Sequence, residues 1–312
     1  MPQTTSPAAA ARSGFDGDHE TLLLSVDFED WHQLVRRRVG TADWQRPGRA
    51  LARQTDVLLA LLDELGVRAT FFILGISARA HPQLVQAIAS RGHEIGSHGD
   101  AHRPVHRQTP SEFAADLRAA RETIEQLTGR SPVGYRAPAF SVTRESPWAY
   151  DVLADEGLAY DASQHDSPRI RNRLVGRAGT PHRLELADGR ALWEFPVAVW
   201  HAGRSGQARI PVGGASYWGV MPTQVVLRGL RHAGPFAGLY LHPHELDPEP
   251  LRAELGPGAG ASQRLHGSLR AAQRNLARRR AGGVLRAIAG SHRLIPYGEA
   301  HAELCRSAAA RP

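Results

Sequence analysis

The sequence predicts an α/β domain built on a parallel sheet, open or closed into a barrel. Short β-type runs alternate with longer segments of helical periodicity from Thr21 onward, and the helical segments carry recognisable start and stop signals. The residues that carry chemistry recur at the ends of the β-type runs, where α/β proteins place their sites. The chain has 312 residues, 42% of them hydrophobic, which suffices for one large domain or two ordinary ones with a sizeable core.

Residues 1–18 are rich in Ala, Ser, Thr and Pro and lack a basic stretch followed by an apolar one, so they read as a flexible tail rather than a secretory leader. Thr21 to Asp27 is a β-type run. Leu51 to Leu65 has helical spacing, with Gly66 as its C-cap. Ala69 to Leu74 reads as a buried strand, Pro82 to Ser90 as a helix with proline in its first turn, and His93 to Ser97 as a third strand. Thr109 to Glu112 opens a helix that runs to about Leu127 and closes at Gly129. Val133 to Arg136 and Leu158 to Asp161 are further strands, flanking a helix over Pro147 to Glu156. Ser167 to Gly219 reads as long loops and short strands around one clear strand, Trp193 to Val199. A helix over Pro222 to His232 leads to a last strand, Gly238 to His242. These boundaries give a main domain over 19–250 and a linker with a basic helical extension over 251–312.

Net charge is +7 and every one of the 38 basic side chains is arginine. Arginines crowd the last fifth of the chain, where a solvated helical face competes with contact to phosphates or acidic lipid headgroups. The lone Cys305 forms no internal disulfide, so the fold is independent of an oxidising compartment. No apolar run approaches the roughly 20 residues that span a bilayer. The expected location is the cytoplasm, including its inner membrane face, with peripheral membrane contact through the basic tail. No nucleic-acid motif accompanies the charge, and the oligomeric state is left open.

His98 and His102 stand four residues apart just after a β-type run, a spacing at which two imidazoles can bind one metal ion. Such a pair needs an anionic third ligand and room for water, and Asp27-Phe28-Glu29-Asp30 is the best supplier. Asp27, His98, Arg136, Asp161 and His242 all fall at carboxyl ends of strands, which argues for one shared site.

In order, Ser25 to Asp30, Ala69 to Phe72, Gly96 to His102, Gly134 to Phe140, Tyr160 to Ser163 and Tyr240 to Pro243 resemble the motifs of the NodB-homology polysaccharide deacetylases, carbohydrate esterase family 4. The start Val-Asp-Phe-Glu-Asp, the segment Pro211 to Gly214 and the ending Leu-His-Pro are similar to the branch associated with exosortase and PEP-CTERM exopolysaccharide loci. The resemblance implies a distorted, incomplete (β/α) barrel. It also implies a de-N-acetylase using Zn²⁺ or another divalent ion on an N-acetylated glycan or lipid-linked sugar of an exopolysaccharide pathway.

The resemblance further implies His98 and His102 as ligands, Asp27 as base, His242 as acid, Arg136 as the group orienting Asp27, and Asp161 as support for His242 or the substrate. The family's adjacent aspartates are replaced here by Asp27, Phe28, Glu29 and Asp30. Strand alternation puts Asp27 and Glu29 on one face, which favours Glu29 as third ligand and leaves Asp30 as the alternative. A backbone N–H near Ala139 would meet the oxyanion. Trp31, Trp193, Trp200, Trp218 and Tyr217 are candidate sugar-stacking surfaces or core. His244 departs from the branch, where an aromatic residue is expected. Two rivals remain: a related hydrolase of small cyclic amides or ureides, and a non-catalytic carbohydrate-binding module.

Overall fold

The computed structural model describes residues 20–166, 179–203, 206 and 208–309. The predicted tail over 1–18 and residues 167–178 of the predicted loop region lie outside the described residues.

β1 (Thr21–Phe28) is buried along its whole length. Its two faces divide the molecule. Leu22, Leu24, Val26 and Phe28 pack under α2 (Leu51–Leu65), and α1 (Trp31–Val39) follows directly after β1. Leu23, Ser25 and Asp27 point the other way, into the curl of the sheet. α2 ends as predicted at Gly66, whose φ of 63° is left-handed and favours glycine.

β2 (Thr70–Ile73), α3 (Gly75–Ala80), α4 (Pro82–Ser90) and β3 (Glu94–Ser97) continue the alternation. α5 (Pro110–Thr128) starts from a reciprocal cap: Thr109 Oγ1 accepts from the Glu112 N–H, and Glu112 accepts from the Thr109 N–H at 2.8 Å. Such a cap contributes about 1 kcal/mol. β4 (Gly134–Tyr135), α6 (Ala149–Asp155) and β5 (Tyr160–Asp161) follow. Gly134 allows a close approach, because a Cβ there would sit 1.9 Å from the Tyr160 ring.

The run from Trp193 to Val199 does not form one strand. β6 (His182–Glu185) and β7 (Ala191–Glu194) form a hairpin, whereas β8 (Val199–Ala202) pairs with β9 (Ala208–Pro211) in a separate small sheet. The break falls at Phe195-Pro196, where Pro196 has no N–H to give a ladder. α7 (Ala215–Trp218), α8 (Thr223–Ala233) and β10 (Gly238–Leu241) complete the core order.

Beyond Pro250 come α9 (Ala261–Arg278), α10 (Ala281–Ala289), β11 (Arg293–Ile295) and α11 (Tyr297–Ala309). This segment is part of the sheet and core rather than an appendage. β11 pairs in parallel with Thr21–Leu23 of β1, below the stretch that pairs with β2. The buried Tyr297 joins Leu23, Phe72, Tyr160 and Phe195 in the interior.

The main sheet runs β10-β1-β2-β3-β4-β5-β7-β6, parallel except for the β6–β7 hairpin. It is an open, curled sheet clothed by helices, an incomplete (β/α) barrel as the family resemblance implied. Aromatic rings fill the curl at its lower end, so the strands' carboxyl ends can carry polar side chains above a dry floor. Among the described residues no helix is long and apolar enough to cross a membrane.

Candidate metal and catalytic site

β1 delivers Asp27 at its end and Glu29 just beyond it, and the loop after β3 delivers His98 and His102. Nε2 of His98 lies 2.7 Å and Nε2 of His102 2.9 Å from the same oxygen, Glu29 Oε1. Burial would raise the Glu29 pKa, but the charge and hydrogen bond of His102, then His98 and His242, hold it well below the usual carboxylate range.

The backbone carbonyl of Arg136 can only accept, so His98 donates its Nδ1 proton there at 2.7 Å, which fixes the ring with Nε2 toward Glu29. Imidazole nitrogens and a carboxylate oxygen converging on one point could hold a cation, and this nitrogen and oxygen donor set suits a divalent ion. His102 adopts a left-handed φ of 52°, which aims its ring at this point.

Asp30 is not available for that role. Its Oδ1 accepts from the His32 N–H at 2.8 Å as the N-cap of α1, and its Oδ2 accepts from the Gly48 N–H at 2.5 Å. Between the two alternatives left by the sequence, the structure brings Glu29 to the histidines.

Asp27 accepts a hydrogen bond from Arg136 Nη1 at 2.8 Å. Arg136 is fully buried and donates also to Ser25 Oγ at 2.6 Å, Tyr297 OH at 2.8 Å and the Ala162 carbonyl at 3.0 Å, while its plane lies 4.4 Å above the Phe72 ring. A buried guanidinium with this many fixed partners holds the Asp27 carboxylate in one orientation.

His242 faces the pair from β10. Its Nε2 is 3.7 Å from Glu29 Oε2 and its Nδ1 is 3.1 Å from Glu245 Oε2. Burial alone would depress the imidazole pKa, but the charge and hydrogen bond of Glu245, followed by the charges of Glu29 and Asp27, raise it to about 9. Asp161 therefore does not support His242; Glu245 does. Asp161 accepts instead from the Ser163 hydroxyl at 2.6 Å and its N–H at 3.2 Å, and it shares a hydrogen bond with Glu194. Burial and then the Asp161 charge raise the Glu194 pKa well above the ordinary value.

His244 takes the place expected for an aromatic residue and behaves as one. Its ring lies 5.3 Å from Trp31 and 5.2 Å from His242. Burial, then repulsion from His242, pushes its pKa down to about 3, so it packs as a neutral flat ring.

Asp27, Glu29, His102, His242 and His244 line a cleft of about 500 Å³ with Trp31, Ala139, Phe140, Tyr240 and Ser216. Ala139 and Phe140 hold consecutive left-handed conformations, φ 55° and 53°, at the cleft wall. Each costs of the order of 1 kcal/mol or more for a residue with a Cβ, which tight surroundings must enforce. Of the aromatic residues singled out for stacking, only Trp31 lines this cleft. Trp193 packs in the interior, Trp218 is buried with its N–H on the Val212 carbonyl, and Trp200 packs on His232. A larger hollow of about 720 Å³ lies at the amino end of β3, around His93 and Glu94, away from this cluster.

Sequence reasoning missed Glu245, Glu194, Ser25 and Tyr297. Glu245 had a local signal, since it stands three residues after His242. Tyr297 had none, because it arrives from the far end of the chain.

A family model described as polysaccharide deacetylase matches residues 47–155, and one described as a domain of unknown function, DUF3473, matches residues 168–279. The peptidoglycan deacetylase-like protein of Gibberella zeae is 33% identical over 152 residues, covering 46% of this chain and 43% of that protein. The peptidoglycan-N-acetylglucosamine deacetylase of Bacillus cereus is 33% identical over 136 residues, covering 40% of this chain and 47% of that protein. The chain thus spans less than half the length of these curated relatives. A crystal structure of a candidate polysaccharide deacetylase from Mycobacterium smegmatis superposes over 96% of this chain and 94% of that chain, with a TM-score of 0.58 and 22% identity, a likeness of fold. Taken with the element order and the curled sheet, these matches support the resemblance to the NodB-homology polysaccharide deacetylases, carbohydrate esterase family 4, with the deacetylase model itself matching residues 47–155 and the solved structure showing the fold.

Proposed function

We propose that the protein is a metal-dependent de-N-acetylase acting on an N-acetylated amino sugar of an exopolysaccharide or its precursor. The observation that carries this reading is the convergence of His98 and His102 on one oxygen of Glu29, with His242 facing the other oxygen. A divalent ion held by Glu29, His98 and His102, Zn²⁺ or a similar one, would polarise the acetamide carbonyl and acidify water.

The chain's own residues supply the proton transfers. Asp27, fixed by Arg136, accepts the proton of the attacking water. His242, held protonated by Glu245, delivers a proton to the departing amine. The two groups are set apart by their partners: Asp27 faces a guanidinium, and His242 faces the Glu245 carboxylate that raises its pKa. The curled wall at Ala139 and Phe140 narrows the cleft beside them, and Trp31 offers an aromatic surface.

The test is metal content by mass spectrometry alongside acetate release from N-acetylglucosamine oligomers, for wild type and His98→Ala/His102→Ala. Near-stoichiometric metal and acetate release, both lost in the variant, is the expected result. Metal without acetate release, with ring opening of a small cyclic amide instead, would replace this reading by its small-amide rival.

Peripheral membrane contact and a location at the inner membrane face belong to the same proposal. The surface it would use is the stripe Leu265, Leu269 and Leu276 of α9, exposed by 60%, 58% and 69% and flanked by Arg279 and Arg280. Flotation with anionic vesicles should be lost in Leu265→Gln/Leu269→Gln/Leu276→Gln; unchanged flotation, or none by the wild type, removes this part.

A further inference from the structure

Arginines rim the cleft on two sides. Arg37 and Arg38 stand at the end of α1, Arg107 follows β3, and Arg270 and Arg274 project from α9. The acidic side chains among the lining residues, Asp27 and Glu29, are buried on the floor and already engaged by Arg136 and by the histidines. An acetamide is neutral, so the proposed reaction needs none of the rim charges.

The apposition is built by packing between distant segments. Trp31 and Val35 of α1 share a buried cluster with Leu251 and Ala271, and Gln263 donates to the Val39 and Gly40 carbonyls at 3.1 and 3.2 Å. Docking α9 on α1 therefore brings like charges together across the mouth. Arg38, Arg107 and Arg270 have no carboxylate partner among the described residues. Arg37 lies 4.9 Å above the Trp44 ring and donates to the Ala101 and His102 carbonyls, so it is held in place without being neutralised.

The crowding acts on Arg270, where burial, followed by the charges of Arg38 and Arg274, lowers the pKa. A cluster that repels itself across an open cleft is relieved by an anion placed between its members. Guanidinium groups are matched in geometry to carboxylate and phosphate oxygens.

We propose that this rim selects an anionic substrate, an N-acetylated sugar that carries or adjoins a carboxylate or phosphate, over a neutral N-acetylglucosamine polymer. The inference rests on the deacetylase reading and specifies its substrate class. Arg274 adds a second tie, since it donates to Ser216 Oγ and lies 3.7 Å from Glu245, linking the rim to the acid side of the site.

The test uses the full, metal-loaded chain and three probes: a neutral N-acetylglucosamine tetramer, a tetrasaccharide alternating N-acetylglucosamine with glucuronic acid, and uridine diphosphate N-acetylglucosamine. Affinity is measured by calorimetry at low and high salt, and acetate release on the same samples. At least one anionic probe should bind on the order of tenfold more tightly than the neutral tetramer, with the gap narrowing at high salt. Arg38→Gln/Arg107→Gln/Arg270→Gln should shrink that ratio by a similar factor, through KM rather than kcat. Preference between the glucuronate and diphosphate probes identifies which anion the rim serves. Equal binding of neutral and anionic probes overturns the inference, as does an equal loss in Arg231→Gln, on α8 outside the cleft lining. Anionic selectivity without acetate release from any probe would instead overturn the deacetylase reading and leave the selectivity standing.

Discussion

His242 Nδ1 lies 3.1 Å from Glu245 Oε2, and the same oxygen accepts the His242 backbone N–H at 2.9 Å. One carboxylate thereby fixes both the ring and the backbone of the proposed acid. Glu245 is itself fully engaged, with Ser216 on its other oxygen, and the charge of His242 outweighs burial to hold its pKa down to about 2.

This pair sets the alkaline limit of activity. An acid works only while protonated, and the protonated fraction of His242 falls as pH rises through about 9. Glu245→Gln removes the charge that raises this pKa while burial continues to lower it. The alkaline limb of kcat/KM should therefore move about one to two pH units toward neutrality. A limb left in place would show that another group sets it.

Asp27→Asn should lower acetate release by about 10²- to 10⁴-fold while metal content stays at the wild-type level. The separation is expected because Asp27 meets Arg136, whereas the histidines meet Glu29. Loss of metal together with activity would make Asp27 a ligand instead of a base.

Burial, then the charge of Asp161, raises the Glu194 pKa well above the ordinary value. A raised carboxyl contributes stability that is complete below the unfolded pKa and is lost as pH rises through the folded one. Glu194→Gln keeps the shape and removes the titrating group. Its melting temperature relative to wild type should rise steadily between mildly acidic and alkaline pH, and a flat difference would refute the raised pKa.

Tyr297 ties the C-terminal segment to the site. Tyr297→Ala should destabilise the protein by about 3–5 kcal/mol in denaturant unfolding, because it opens a cavity in the buried interior. Tyr297→Phe should cost only about 1–2 kcal/mol, leaving Arg136 Nη2 without its partner. Wild-type stability in the alanine variant would mean that the segment beyond Pro250 is dispensable for the fold.

Much of the architecture was legible in the sequence, and for local reasons. The runs at Thr21 and Thr70 are short and rich in apolar or aromatic residues, and the helices at Leu51, Pro82 and Pro110 carry local signals, a C-cap glycine at Gly66, a proline in the first turn and a capping box, so these elements announce themselves within a few residues. The placement of Asp27, His98, Arg136 and His242 at strand ends followed from the parallel alternation. What failed was also local in origin: Pro196 interrupts an apolar run that periodicity alone reads as one strand, and α1 is too short and arginine-rich for its apolar face to be distinctive.

The sequence by itself determined the element order, the sheet type and the histidine pair, since these depend on neighbours within a turn or a strand. Only the tertiary structure decided that Glu29 rather than Asp30 meets the histidines, because the difference lies in Gly48 and the cap of α1. It also decided that Glu245 rather than Asp161 serves His242, and that β11, Tyr297 and the arginines of α9 belong to the body of the domain. These are contacts between residues far apart in the chain, made by backbone register and side-chain packing that no single stretch of sequence encodes.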